Sequence, residues 1–285
     1  MNIRTAQKHT ELVHMNVGPA FKVAQPFPTN GLEAISPFIL LHHAGPQQHA
    51  PGALQARLSP HPHRGFEPVT FLFSGKLHHK DSTGAEGYLE SGDVQWMTAG
   101  SGIIHSEGPS AAFAEEGGRM ELVQLWVNLP RAEKMTPPKY QDIKRASIPV
   151  VERDGFRMQV VAGTFEGNTG PASTFTPILA LMVHFDGAGK IEVPVPQGWN
   201  ALAYVLKGAV RAGGTDVTDR QTAVFRHDGD TVLLEAQSEG YLLLLAGAPI
   251  DEPMVSYGPF VMNYPGEIKQ AILDYESGRM GVLES

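Results

Sequence analysis

Apolar residues fall along this chain in short runs broken by Gly, Pro and Asp, and seldom in the three-and-four spacing of a helix. Examples are Pro68-Val69-Thr70-Phe71-Leu72-Phe73, Glu121-Leu122-Val123-Gln124-Leu125-Trp126-Val127, Ala203-Tyr204-Val205-Leu206 and Gly240-Tyr241-Leu242-Leu243-Leu244-Leu245. Their length, β-branched and aromatic content and turn-rich borders predict strands. Many short strands separated by turns predict an all-β sandwich or barrel. One segment departs from this pattern. Between Gly266 and Gly278, Ile268, Ile272 and Tyr275 share a helical face and Gly278 stands where a helix would stop. A single short C-terminal helix is therefore expected.

The two halves of the chain resemble one another. Phe71-Leu72-Phe73-Ser74-Gly75-Lys76-Leu77 is followed by Gly92-Asp93-Val94, and Ala203-Tyr204-Val205-Leu206-Lys207-Gly208-Ala209-Val210 by Gly229-Asp230-Thr231-Val232. Each reads as strand, glycine turn, strand, then a Gly-Asp turn, which suggests a duplicated β domain. The stretch from Arg131 to Pro149 holds Pro137, Pro138 and Pro149 with little apolar periodicity, as an extended connection would. The expected organisation is an N-terminal domain over 1–133, a linker over 134–149, and a C-terminal domain over 150–285 that carries the helix.

Composition narrows the chemistry. The 285 residues are enough for two domains. Lys and Arg number 22 against 30 Asp and Glu, a formal charge of −8, which argues against a broad basic surface for nucleic acid or anionic membrane. There is no cysteine, which excludes disulfides, zinc ribbons, iron–sulfur clusters and thiol nucleophiles. Any metal must be held by His, Asp or Glu. The longest apolar run, Tyr241 to Ala246, is far short of the ~20 residues of a membrane span. The first residues lack an apolar core followed by a cleavage site, so a cytoplasmic protein is expected.

Twelve histidines are present, and one group is informative: His61-Pro62-His63, then His105-Ser106-Glu107. Residues i and i+2 of a strand face the same side, so two such strands laid together would present three imidazoles and a carboxylate. That donor set suits divalent iron, manganese, cobalt, nickel, copper or zinc. Four protein ligands would leave two positions of a six-coordinate ion for water, oxygen or a chelating substrate. Glu67 competes with Glu107 for the carboxylate role, but lies ~13 Å beyond His63 along a straight strand, and Glu107 is favoured. His42-His43, His49 and His78-His79 are read as solvated loop or edge histidines, and Arg64 and Lys76 as exposed strand charges. Trp96 and Trp126 are read as core aromatics. Gly100 and Gly102 are expected to serve the turn before His105.

The stretches His61-Pro62-His63-Arg64-Gly65-Phe66-Glu67 and Gly92-Asp93-Val94-Gln95-Trp96-Met97-Thr98-Ala99-Gly100-Ser101-Gly102-Ile103-Ile104-His105-Ser106-Glu107 closely resemble the pirin family of the cupin superfamily. Leu125-Trp126-Val127-Asn128-Leu129-Pro130 and Gly258-Pro259-Phe260-Val261-Met262-Asn263 resemble pirin segments too. The resemblance implies two tandem cupin, jelly-roll-like β-barrels. It also implies one metal ion in the first, usually iron(II), held by His61, His63, His105 and Glu107. The second half has no His-x-His, and its histidines 184 and 227 are isolated, so a metal-free second barrel is expected. The family further implies a dioxygenase that opens flavonols such as quercetin with O2; in such a reaction Glu107, a carboxylate within hydrogen-bond reach, is expected to accept the substrate proton. The alternative it implies is a redox-dependent regulatory protein that binds a transcription factor or an enzyme. A zinc or manganese isomerase or hydrolase is a third possibility, because fold does not settle function.

Overall fold

The computed structural model describes residues 2–19, 21–53 and 57–284. The chain forms two compact units, each assembled from separated segments. One comprises Val13–Gln25, Phe38–Arg145 and Asp251–Ser285, the other Met1–Leu12, Pro26–Pro37 and Ala146–Ile250. Each contains a seven-stranded and a four-stranded antiparallel sheet, so the duplication legible in the sequence is a duplication of architecture.

In the first unit the large sheet runs, edge to edge, Lys139–Ile143, Val94–Thr98, Phe66–Ser74, Gly118–Asn128, Phe38–His49, Phe21–Phe27 and Val13–Val17. The small sheet runs His61–His63, Ile103–Pro109, Lys76–Asp81 and Glu86–Glu90. Gly75, at φ +105°, turns the chain from the large sheet into the small one. A Cβ there would stand 2.6 Å from the sulfur of Met120. Gly208, at φ +94°, makes the same transition in the second unit, between Asn200–Lys207 and Ala209–Ala212. These are the two glycines that align in the repeated sequence pattern.

The two interiors differ. The second unit is filled between its sheets by one continuous apolar cluster, from Met158, Leu181 and Leu244 on the large sheet to Val193, Val210 and Leu234 on the small one. The first unit has an apolar end built on Leu72, Leu77, Leu89 and Leu122, while its middle carries His63, His79, Asp81, His105 and Glu107, all buried. A polar interior costs free energy unless each group finds a partner or a ligand, so this is where function is to be sought.

The expected contiguous boundaries at 133/134 and 149/150 do not describe these units. The strand Ala6–His9 completes the large sheet of the second unit by pairing with Thr222–Phe225, and 251–285 packs within the first. The expected linker contains an ordered strand, Lys139–Ile143, paired with Val94–Thr98. Its backbone groups, met as a Pro-flanked polar stretch in sequence, are satisfied on the edge of a sheet.

The C-terminal helix is present over Pro265–Glu276, opened by Pro265 and the Glu267 carboxylate, which accepts from the backbone of Asn263 and Tyr264. Its buried face is Ile268, Ala271 and Asp274 rather than Tyr275, which is exposed. The apolar part packs on Ile104, Phe260 and Met262. No helix among the described residues is long and apolar enough to cross a membrane.

Candidate metal centre

His61 and His63 sit on the edge strand of the small sheet, and antiparallel pairing sets His105 opposite His61 and Ile103 opposite His63. Alternation then turns all three imidazoles to one face, into the barrel, while Ile104 points outward to the terminal helix. Ring centroids are 4.4 Å apart for His61 and His105, and 4.9 Å for both other pairs. One donor atom from each histidine lies within 4.8 Å of the others, a group able to hold a metal ion.

The surroundings of the three rings favour this use. His61 Nδ1 donates to the Ser59 carbonyl at 2.9 Å, which leaves Nε2 as the ring nitrogen turned to the cluster. His63 and His105 are buried, and desolvation, reinforced by the neighbouring imidazoles, holds both well below the usual histidine range. They are neutral at pH 7, as a ligand must be. Both ring nitrogens of His105 and Nδ1 of His63 are buried without a hydrogen-bond partner. A divalent ion fits such a set of orphaned nitrogens.

Glu107 follows His105 by two residues on the same face, and is buried. Its Oε1 accepts from Gln124 Nε2 at 2.8 Å, which leaves Oε2 for other chemistry. Glu67 is placed differently. Phe66, the preceding residue, packs on His63 (5.1 Å) and Trp126 (4.2 Å) inside the barrel, so the next side chain along the strand points through the other face of the sheet. There the Thr98 hydroxyl donates to Glu67 Oε1 at 2.7 Å, and burial pushes the Glu67 carboxyl up to about 7. Alternation thus removes Glu67 from the histidine cluster.

Several side chains read as peripheral in sequence are interior. His79 is buried opposite Glu107, stacked on Tyr140 with centroids 4.8 Å apart, and its Nε2 stands 3.4 Å from Asp142 Oδ1. Burial and the charges of Asp81 and Glu107 drive the Tyr140 phenol up, so it remains protonated. His43 is buried against Glu121 at 3.1 Å. Arg64, expected on the surface, is buried and bound to Asp274 at 2.8 Å, whereas Lys76 is solvent-accessible beside Glu116. Trp96 is buried on the Glu67 face, and Trp126 packs on His63 at 5.5 Å.

Glu107 also lines a cavity, with His42, Thr70 and Gln124 as its other polar residues and apolar walls that include Val17, Phe21 and Leu58; none of the three histidines lines it. Its volume is about 20 Å3, room for about one water molecule.

The chain matches the pirin family model over residues 20–127 and the model of the pirin C-terminal cupin domain over residues 180–281. It is 44% identical over 224 residues to a pirin-like protein of Caulobacter vibrioides, covering 77% of this chain and 79% of that one.

The chain belongs to the pirin family.

Human pirin is 40% identical over 228 residues, covering 78% of this chain and 77% of the human one. A crystal structure of a quercetin 2,3-dioxygenase from Acinetobacter baumannii superposes with a TM-score of 0.94 at 38% identity, over 99% of this chain and 100% of that one. Gln124, bonded to Glu107, and Tyr140, stacked on His79, are neighbours of the candidate site that the sequence did not single out. Gln124 had a signal: it is an amide inside the apolar run Leu122–Val127. Tyr140 had none, because its strand lies in the stretch read as a linker.

Proposed function

We propose that the protein is a flavonol dioxygenase of the pirin type, in which His61, His63 and His105 hold one divalent transition-metal ion, iron(II) in the native enzyme. Glu107 completes the donor set through the oxygen that Gln124 leaves free. The observation that carries this reading is the convergence of three imidazoles, with unpartnered nitrogens on His63 and His105, on the strand face shared with Glu107, which itself lines a cavity. The likeness to the Acinetobacter quercetin 2,3-dioxygenase supports it. When bound, the ion would supply a Lewis acid that lowers the pKa of a coordinated hydroxyl, and redox chemistry with O2.

The chain's own groups account for the rest. A flavonol offers a 3-hydroxyl beside a carbonyl, a chelating pair, and flat apolar rings. The walls at Val17, Phe21 and Leu58 would pack on the rings and exclude water. Glu107, fixed by Gln124, would accept the 3-hydroxyl proton. Tyr140 stays protonated and keeps a hydrogen-bond donor on the side of Asp81 and Glu107. The overall reaction consumes one O2 and returns a ring-opened ester and carbon monoxide. A cavity of about 20 Å3 is smaller than a flavonol, so substrate enters only as the walls part.

The test follows quercetin's visible absorption under air with metal-reconstituted protein beside a His61→Ala variant. Loss of absorption by the loaded parent and not by the variant is expected. If iron-, copper-, nickel- and manganese-loaded protein all leave quercetin unchanged, the catalytic reading is wrong. Reversible oxidation without turnover would replace it with the regulatory one.

A further inference from the structure

The motif Gly258-Pro259-Phe260-Val261-Met262-Asn263 lies almost 200 residues beyond the first histidine pair and supplies none of the proposed donors. In the structure it lies against the strand that carries them. Arg64 and Phe260 form a parallel bridge. The Arg64 amide donates to the Pro259 carbonyl at 3.3 Å, and the Val261 amide to the Arg64 carbonyl at 3.0 Å.

Three further contacts lock this register. Lys134 is buried, and its ammonium donates to the carbonyls of Gly65 at 2.8 Å and Val261 at 3.1 Å, and to Asn128 Oδ1 at 2.7 Å. Arg64 reaches outward to Asp274 of the terminal helix at 2.8 Å, and its Nε donates to the Ser101 carbonyl at 2.6 Å. Gly65 adopts φ +86°, and a Cβ there would stand 2.0 Å from the Val261 carbonyl oxygen, so the two backbones meet where only glycine fits.

We infer that the segment Gly258–Asn263, held by Lys134 and by the Arg64–Asp274 pair, is a positioning element of the metal centre that orients His63 by fixing the backbone of Arg64 and Gly65 directly after it. The groups that hold a ligand's surroundings in place set the direction of its lone pair as much as the ligand itself does. For His61 a nearby restraint is the Ser59 carbonyl, two residues away. For His63 the restraint comes from the other end of the chain, where Pro259 and Val261 pair with both backbone groups of Arg64. The buried ammonium is explained by the same device: it takes two carbonyls, one from each side, and ties them together. Lys134 and Asp274 are positioning residues, since neither faces the histidine cluster.

This inference rests on the metal reading, and its test separates the two. Co(II) affinity, measured by chelator competition on the full-length protein, and the visible spectrum of the Co(II) form are compared for the parent, Lys134→Met, Asp274→Asn, His61→Ala and Leu89→Ala. Leu89 is buried at the far apolar end of the same barrel, so its truncation lowers stability without touching the terminal segment. The clamp variants are expected to bind Co(II) about 10- to 100-fold more weakly, with a shifted spectrum. Leu89→Ala is expected to melt lower but bind as the parent does. If Lys134→Met and Asp274→Asn bind Co(II) like the parent while His61→Ala does not, the positioning role is wrong and the metal reading stands. If Leu89→Ala loses affinity in proportion to its lost stability, as the clamp variants do, the effect is general loosening and the inference is overturned. If the parent binds no Co(II), both fail.

Discussion

Gln124 Nε2 donates to Glu107 Oε1 across 2.8 Å, joining the strand Gly118–Asn128 of the large sheet to the strand Ile103–Pro109 of the small one inside the first barrel. The bond fixes which carboxylate oxygen stays free. Replacing Gln124 with Leu keeps the bulk and removes the donor, leaving a buried carboxylate without its partner, a loss of about 1–3 kcal/mol. Flavonol turnover is expected to fall about 10- to 100-fold, a similar free energy expressed as a rate. Metal content should be little changed, because the three histidines are untouched. Metal analysis beside steady-state kinetics checks this: unchanged turnover would show that Gln124 does not hold the working carboxylate.

Glu67 gives a stability prediction whose sign depends on pH. Its carboxyl is raised by burial to about 7 in the folded protein from an ordinary value of 4.5. The folded state therefore binds a proton that the unfolded state does not between those values, so stability falls as pH rises from 4.5 to about 7, and the full loss, about 3 kcal/mol, is in place at pH 8. Glu67→Gln removes the ionisation and leaves Thr98 an acceptor. The variant should melt above the parent at pH 8, with the advantage shrinking as pH falls toward 5. Melting curves at the two pH values decide it, and an advantage that does not depend on pH would contradict the assignment.

Leu58 is buried and forms part of the cavity wall. Leu58→Ala should enlarge the cavity at a stability cost of about 2–5 kcal/mol. If parting of the walls limits entry, the variant should show a higher kcat/KM for quercetin despite its lower melting temperature. A lower kcat/KM with intact metal binding would place substrate entry elsewhere.

Much of the fold was legible because short apolar runs between glycine turns have few solutions, and because Gly75 and Gly208 punctuate the two halves at equivalent places. The histidine cluster was legible for a similar reason: His-x-His and His-x-Glu each fix a face by alternation, whatever the sheet around them. Glu67 could be set aside in the structure by the same rule once Phe66 was seen to pack on His63. What sequence spacing does not carry is long-range pairing. Ala6–His9 joins a sheet whose neighbouring strand is Thr222–Phe225, and the buried Arg64 finds its carboxylate partner in Asp274, some two hundred residues later. His79 and Tyr140 were missed because a histidine at a predicted strand edge gives no sign that an aromatic ring from a Pro-flanked stretch will cover it.

The central claim is that His61, His63 and His105 share one cation. Titrating chelator-stripped protein with Co(II) tests it most directly, with bound metal counted by elemental analysis for the parent and for the His61→Ala, His63→Ala and His105→Ala variants. One equivalent bound by the parent, and affinity lost in every variant that remains folded, is the expected result. Folded variants that each retain a full equivalent at parental affinity would show that the cation, if any, is held elsewhere.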